Sequence, residues 1–369
     1  MRIDWQSAQT EILINPRYPG REKDTVFSSL SETVLKGHFW LASSGSSGQT
    51  KWTALSKSAL LTSAASVNQH LQSDSKDIWV NPLPIFHVGG LSILARSYLT
   101  SAKVIDLSEN KWDPLQYYKK LKETKGTLTS LVPSLVFDLV KLGLPSPPSL
   151  RAVLVGGGFL SENLYKQGRA LGWPLLPTYG MTECSSQIAT ASYPLENDPL
   201  LKILPHVKVK VHLSGNIQIK SESLFTVIAN LTLKKIILED SKEDGWFTTE
   251  DKGEIKENYL KVLGRNFHFI KIGAESVDLV KLENILNALI LTLKSTKDFV
   301  LIPFPDERLG AVIHLVTNCQ DEIVLKSLCD QYSERVLPFE KIRRIHYLES
   351  IPKSPLHKVL YGELIQKVT

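Results

Sequence analysis

The sequence predicts an α/β fold: a large N-terminal domain with a mainly parallel sheet and a β-rich subdomain, then a small α+β C-terminal domain. Three observations carry this. Apolar runs ending in Gly or Pro alternate with helical patterns over the first half of the chain. After about Pro205, period-two alternation with turn signals takes over. From about Gly264 a new order of helix, two strands, helix and strand begins, enough for a second core. The chain has 369 residues, 43% of them hydrophobic, so two domains can each bury one.

Taken in order, "HFWLA" reads as a short buried strand. "SKSALLTSAASVNQHL" reads as a helix that Ser56 can cap. "DIWVNPLP", "SAKVIDL", "GTLTSLVP", "LRAVLVGGG" and "WPLLPTYG" read as buried strands. Between several of them lie helices: "DPLQYYKKLKE", "PSLVFDLVKLG" and "SENLYKQGRALG". "VKVKVHLSGNIQIKSESLF" reads as a hairpin turning at Gly215–Asn216, and "GEIKENYLKVLGR" as another turning at Glu257–Asn258. "LVKLENILNALILTL", "DFVLIPFP", "AVIHLVT", "DEIVLKSLCDQYSERV" and "IRRIHYL" complete the last domain. The boundary falls near Leu263–Arg265, giving domains 1–263 and 264–369.

The net charge of +5 is spread over lysines interleaved with acids, a solvated-face pattern that argues against a nucleic-acid partner. The small positive excess still suits polyanionic ligands. "MRIDWQSAQTEIL" lacks a signal-peptide layout, and the most apolar stretch, "LENILNALILTLK", is too short to span a bilayer. A cytoplasmic protein without membrane insertion is expected. Three cysteines without metal-like spacing read as reduced thiols. Nothing in the sequence specifies an oligomeric state, a homodimer included.

Several stretches could carry chemistry, each with a plain structural alternative. "SSGSSGQTK", Ser43 to Lys51, sits between a strand and a helix; it is either a linker or a loop aiming backbone N–H groups and a cation at phosphates. "PTYGMTECSSQIAT" follows a strand and precedes a polar-faced helix. Thr182 and Glu183 there could meet a phosphate and Mg²⁺, or simply open a capped helix. Tyr179 offers a flat face for a base. Gly156, Gly157 and Gly158 permit close approach of a flat ligand, or form a tight turn. His87 is a structural histidine or a site residue. Asp251 could accept from vicinal hydroxyls, or serve a turn.

In this order and spacing, the motifs resemble those of the acyl-adenylate-forming superfamily. "SSGSSGQTK" looks like its phosphate loop, "YGMTE" matches its Y-G-x-T-E motif, and "WFTTED" is similar to W-[FY]-x-T-G-D. "LGRNFHFIKIGAESV" is similar to its joint segment and "IPKSPLHK" to P-K-[ST]-x-x-G-K. Within the superfamily, "LPIFHVGGL" and "VLVGGGFL" look most like the o-succinylbenzoate–CoA ligase group of menaquinone biosynthesis.

The resemblance implies an enzyme that joins ATP and a carboxylic acid into an acyl-adenylate, then passes the acyl group to coenzyme A. It implies Ser43, Ser44, Gly45, Ser46, Ser47, Gly48, Thr50 and Lys51 on the β,γ-phosphates, and Glu183 on Mg²⁺. Thr182 would meet the α-phosphate, with Tyr179 and Gly180 beside adenine against Gly156–Gly158. Asp251 and Arg265 would hold the ribose, and His87 would line the acyl pocket. Lys358, on a mobile C-terminal lid hinged at Leu263–Phe267, would bridge the carboxylate and the α-phosphate. Other acyl or aryl acids, a carrier-protein thiol, or a non-catalytic nucleotide binder remain alternatives. Four positions depart from the family pattern: Glu250, Phe267, His357 and Tyr361. Few residues precede the phosphate loop, which implies a trimmed N-terminal subdomain.

Overall fold

A computed structural model describes residues 3–16, 20–44, 50–158, 160–194, 199–231, 236–265, 269–293, 297–352, 359 and 361–368. The chain divides into a large unit that ends at Asn266 and a small one that runs from Phe267.

In the large unit, five strands run parallel in the order Lys103–Asp106, Ile78–Asn81, Leu128–Leu131, Ala152–Val155, Leu175–Met181. Leu128–Leu131 and Ala152–Val155 are buried at every position, as expected of strands covered on both faces. One face packs on the helices Pro114–Glu123, Pro133–Lys141 and Glu162–Ala170 through Leu121, Val136, Leu139 and Leu164. The other packs on Lys57–Leu71 and Val88–Thr100 through Val67, Leu71 and Ile93. Each such fully buried aliphatic side chain contributes roughly 2 kcal/mol. Crossovers leave the Ile78–Asn81 strand on one side and enter Leu128–Leu131 on the other. The strand C-termini there open the crevice where ligands bind in such sheets.

Local signals in the sequence explain the helix starts. Ser56 accepts from the Ala59 N–H at 3.0 Å and Ser161 from that of Leu164 at 3.2 Å. Asp113 accepts from Leu115 and Gln116. Each cap is worth about 1 kcal/mol. At the opposite end of the parallel strands, Arg151 grips Asp77 at 2.6 Å and donates to the Leu71 carbonyl. Burial opposes ionisation of Asp77, but hydrogen bonds from Arg151 and Thr127 outweigh it and hold the carboxyl at about 2.

Beyond Met181 the sheet continues antiparallel through Ser186–Ala191, Leu201–Ile203, Tyr259–Arg265, Trp246–Lys256, Asn216–Lys220 and Lys208–Val211. Both expected hairpins are present: Gly215 has φ +85° and Glu257 φ +57° at their turns. A separate five-stranded sheet holds Glu11–Leu13, His38–Ser44, Thr50–Ser56, Val227–Leu231 and Ile236–Glu239.

Two local expectations are corrected. The Ser/Gly stretch joins two strands rather than a strand and a helix, because Thr50–Ser56 pairs with Val227–Leu231 and buries Trp52 and Ala54. No helix follows "YGMTE" directly either. A single 3₁₀ turn, Thr182–Cys184, leads into the fully buried strand Ser186–Ala191. Strand partners on both sides satisfy that backbone, which outweighs the polar composition of "SSQIAT".

The small unit contains the hairpin Phe269–Ile272/Glu275–Asp278 and a sheet ordered Phe299–Asp306, Gly310–Thr317, Ile342–Tyr347. Helices Leu279–Thr292 and Glu322–Ser333 cover one face through Leu282, Leu286, Leu325 and Leu328. Helix Tyr361–Val368 covers the other through Leu364.

Candidate active site

The strand Ala152–Val155 ends in Gly156–Gly158. A Cβ on Gly156 would lie 2.5 Å from Thr178 Oγ1, and Gly157 has φ +78°, so this turn requires glycine at both positions. Next to it, the strand Leu175–Met181 carries Tyr179 and Gly180. A Cβ on Gly180 would stand 1.8 Å from the Ser186 carbonyl oxygen, which excludes any other residue. Tyr179 donates a hydrogen bond to Asp251 Oδ2 at 2.9 Å. Asp251 lies inside the strand Trp246–Lys256, directly opposite Arg265 in the antiparallel ladder.

The turn Thr182–Cys184 is locked by the Phe225 N–H, which donates to the Glu183 carbonyl at 2.8 Å. Beside it, Cys184 is fully buried. Burial, then the charges of Glu183 and Asp251, push its thiol well up. Cys184 is therefore no thiolate nucleophile, and the two carboxylates act on one small volume. The strand Thr50–Ser56, which carries Lys51 opposite Asn230, packs beside this turn.

His87 is the N-cap residue of helix Val88–Thr100, its ring 4.7 Å from that of Phe86. A Cβ on Gly90 would lie 2.4 Å from the carbonyl oxygens of Leu83 and Pro84. That glycine lets the loop bearing His87 fold onto its helix.

Gly156–Gly158, Tyr179, Gly180, Thr182, Glu183, Asp251 and the Arg265 backbone thus lie on linked strands of one sheet and the turn that follows. Ser43 and Ser44 end one strand and Thr50 starts the next. The side chains of Ser43, Ser44, Thr50 and Arg265, and all of Gly45, Ser46, Ser47, Gly48 and Lys358, lie outside the described residues. Phe267 and His357 do too.

One residue carried no motif. Arg96, on helix Val88–Thr100, is 1% exposed. Its Nη1 and Nη2 are 3.5 and 3.4 Å from Ser130 Oγ and Ser186 Oγ, at the limit of hydrogen bonding. Its guanidinium lies 5.6 Å from the Trp79 ring centre, and its Nε has no partner. Among the described residues no carboxylate pairs with it. Burial pulls its pKa down to about 9, which leaves it charged at neutral pH. Ser186 begins the strand that follows the Thr182–Cys184 turn, so this buried cation lies one contact away from that turn. The legible signal was one arginine within the apolar run "VGGLSILARSYL".

The AMP-binding enzyme family matches residues 39–219. That stretch, about half of the chain, carries an AMP-binding domain. Among similar proteins, the 2-succinylbenzoate–CoA ligase of Enterococcus faecalis is 26% identical over 86% of this chain and 66% of its own length. That of Bacillus cytotoxicus is 29% identical over 88% of this chain and 68% of its own. The chain thus spans about two thirds of the length of the curated relatives it matches. Among solved structures, a double mutant of Bacillus subtilis o-succinylbenzoate CoA synthetase has a TM-score of 0.75 at 24% identity, covering 89% of this chain and 69% of that one. The amide bond synthetase McbA of Marinactinospora thermotolerans also scores 0.75, at 18% identity, covering 90% of this chain and 69% of that one. These structures share this chain's fold. For a cation, this AMP-binding chain offers Glu183 beside the Thr182 hydroxyl, and no group of three ligating side chains was found among the described residues. A single carboxylate suits Mg²⁺ that shares its remaining positions with phosphate oxygens and water. No helix among the described residues is long and apolar enough to cross a membrane.

Proposed function

We propose that this protein is an AMP-forming acid–thiol ligase that adenylates 2-succinylbenzoate with ATP and transfers the acyl group to coenzyme A. Two things support the reading: the named relatives, and a buried arginine with no carboxylate paired to it among the described residues. Tyr179 presents its ring to adenine against Gly156–Gly158, while Asp251 and Arg265 hold the ribose. Thr182 donates to the α-phosphate. Ser43, Ser44, Gly45, Ser46, Ser47, Gly48, Thr50 and Lys51 grip the β,γ-phosphates. Glu183 holds Mg²⁺, which when bound neutralises charge on the departing pyrophosphate.

The chemical difficulty is the approach of one anion to another. Lys358 meets it by contacting both the attacking carboxylate and the α-phosphate, so positioning and electrostatics supply most of the catalysis. The carboxylate oxygen bonds to the α-phosphorus and pyrophosphate leaves. The thiol then takes the acyl carbon and AMP leaves. His87 lines the acyl pocket.

Arg96 is the observation that carries the substrate. Keeping a guanidinium buried without a counter-ion is costly unless an anion arrives. The named acid carries two carboxylates; one is activated and Arg96 takes the other. A fatty acid would leave Arg96 unpaired. The three free cysteines accord with a cytoplasmic enzyme. The test is pyrophosphate release across a panel of carboxylic acids, with and without coenzyme A. Release should be strongest with 2-succinylbenzoate and far weaker with an analogue lacking the ring carboxylate. No release with any acid would leave a nucleotide-binding protein without catalysis.

A further inference from the structure

A base stacks on the ring of a tyrosine, and Tyr179 also has a hydroxyl. Its hydrogen bond to Asp251 does not belong to any ladder. In pairing order, three strands separate Leu175–Met181 from Trp246–Lys256: Ser186–Ala191, Leu201–Ile203 and Tyr259–Arg265. The bond therefore ties together two distant parts of a strongly curled sheet. The carboxylate's own backbone is fixed as well: Asp251 N–H donates to Thr249 Oγ1, and that hydroxyl donates to the Asp251 carbonyl, both at 3.2 Å. A register shift follows immediately, between Lys252 and Gly253. Tyr179 stays a neutral phenol, because burial first and the Asp251 charge second raise its pKa well above the usual value. Its O–H is thus always the donor and the carboxylate the acceptor.

We propose that the Tyr179 hydroxyl is a positioning group for Asp251, holding the carboxylate in the orientation that receives the ribose hydroxyls of the nucleotide. The inference rests on the nucleotide reading above and adds a second duty to a residue read there only as a stacking surface. A carboxylate already held by a charge-assisted hydrogen bond loses less side-chain freedom when the ribose arrives. Discrimination between a ribonucleotide and its deoxy analogue should therefore depend on a group that never touches the sugar.

The experiment measures KM and kcat for ATP, 2′-deoxy-ATP and 3′-deoxy-ATP in pyrophosphate release, using the full chain, Tyr179→Phe and Asp251→Asn. Phenylalanine keeps the ring and removes only the hydroxyl. Tyr179→Phe is expected to raise KM for ATP about tenfold, the effect of losing one hydrogen bond to a charged group. It should affect kcat far less, and it should shrink the preference for ATP over the deoxynucleotides. If the tyrosine only stacks, both nucleotides weaken together and the preference stays as it was. An unchanged preference in Tyr179→Phe, with a reduced one in Asp251→Asn, overturns the positioning role and leaves the ribose reading intact. An unchanged preference in Asp251→Asn removes the ribose reading, and this inference with it. Should the phenylalanine variant not fold, Tyr179→Leu removes the hydroxyl without supplying another donor and reads the same ratio.

Discussion

Replacing Arg96 with methionine separates function from stability at one position. Methionine keeps an unbranched apolar stem of similar length and removes the guanidinium that lies over Trp79. Burial pulls the guanidinium pKa down to about 9, more than three units below its ordinary value. At 1.36 kcal/mol for each tenfold change in proton affinity, burial costs the ion up to about 5 kcal/mol. Two hydrogen bonds at 3.4 and 3.5 Å and one ring contact recover only part of this. A well-packed apolar replacement of a buried charge commonly gains ~1–4 kcal/mol. The unliganded Arg96→Met protein is therefore expected to melt several degrees above the wild type by calorimetry, at roughly 2–4 °C per kcal/mol for a domain of this size. The same variant should lose about a hundredfold in kcat/KM for the diacid, because truncating one side of a buried charge pair costs ~2–5 kcal/mol. Its KM for ATP should not move. A variant that melts lower while keeping its diacid KM would refute the argument, since Arg96 would then be a structural cation.

Other outcomes follow from the same geometry. Asp77→Asn removes the counter-ion of the half-buried Arg151, and urea unfolding should register a loss of about 2 kcal/mol. Burial lowers His206 to about 4 from 6.5, so its folded pKa lies below the unfolded one. Its contribution is complete above pH 6.5 and is lost as the pH falls towards 4, about 2 kcal/mol of it by pH 5. His314 and His346 are lowered too and act in the same direction. Melting temperature against pH should fall below neutrality, less steeply in His206→Gln. Lys358→Ala should nearly abolish pyrophosphate release while ATP still binds by calorimetry. Glu183→Gln should move the Mg²⁺ titration of activity to higher concentration, and an unmoved titration would remove it as the metal ligand.

The parallel strands were legible because they are short apolar runs, most of which stop at Gly or Pro, and the hairpins because alternating runs flank a turn at Gly215–Asn216 or Glu257–Asn258. The "YGMTE" and "WFTTED" motifs were legible as neighbours in function through family resemblance, and Tyr179 and Asp251 do meet. Three things were harder to read. Helix Val88–Thr100 opens with two glycines, poor helix formers, and forms because the loop at Leu83–Pro84 needs their small size. The strand Ser186–Ala191 is polar in composition and is held by its partners on both sides. The hairpin Phe269–Ile272/Glu275–Asp278 was read only as a joint segment, since it is short and its alternation is weak.

What the amino-acid order determined by itself was the class of elements and their succession. These depend on residues close together in the chain: period, caps, turn glycines and motif spacing. What tertiary structure alone decided was that Tyr179 and Asp251 share a hydrogen bond, and that Arg96 is a buried cation with no carboxylate paired to it among the described residues. Burial is a property of everything packed around a side chain, and residues far apart in the chain supply it. Trp79, Ser130 and Ser186 surround Arg96 from three separate strands, and no local pattern around position 96 encodes them.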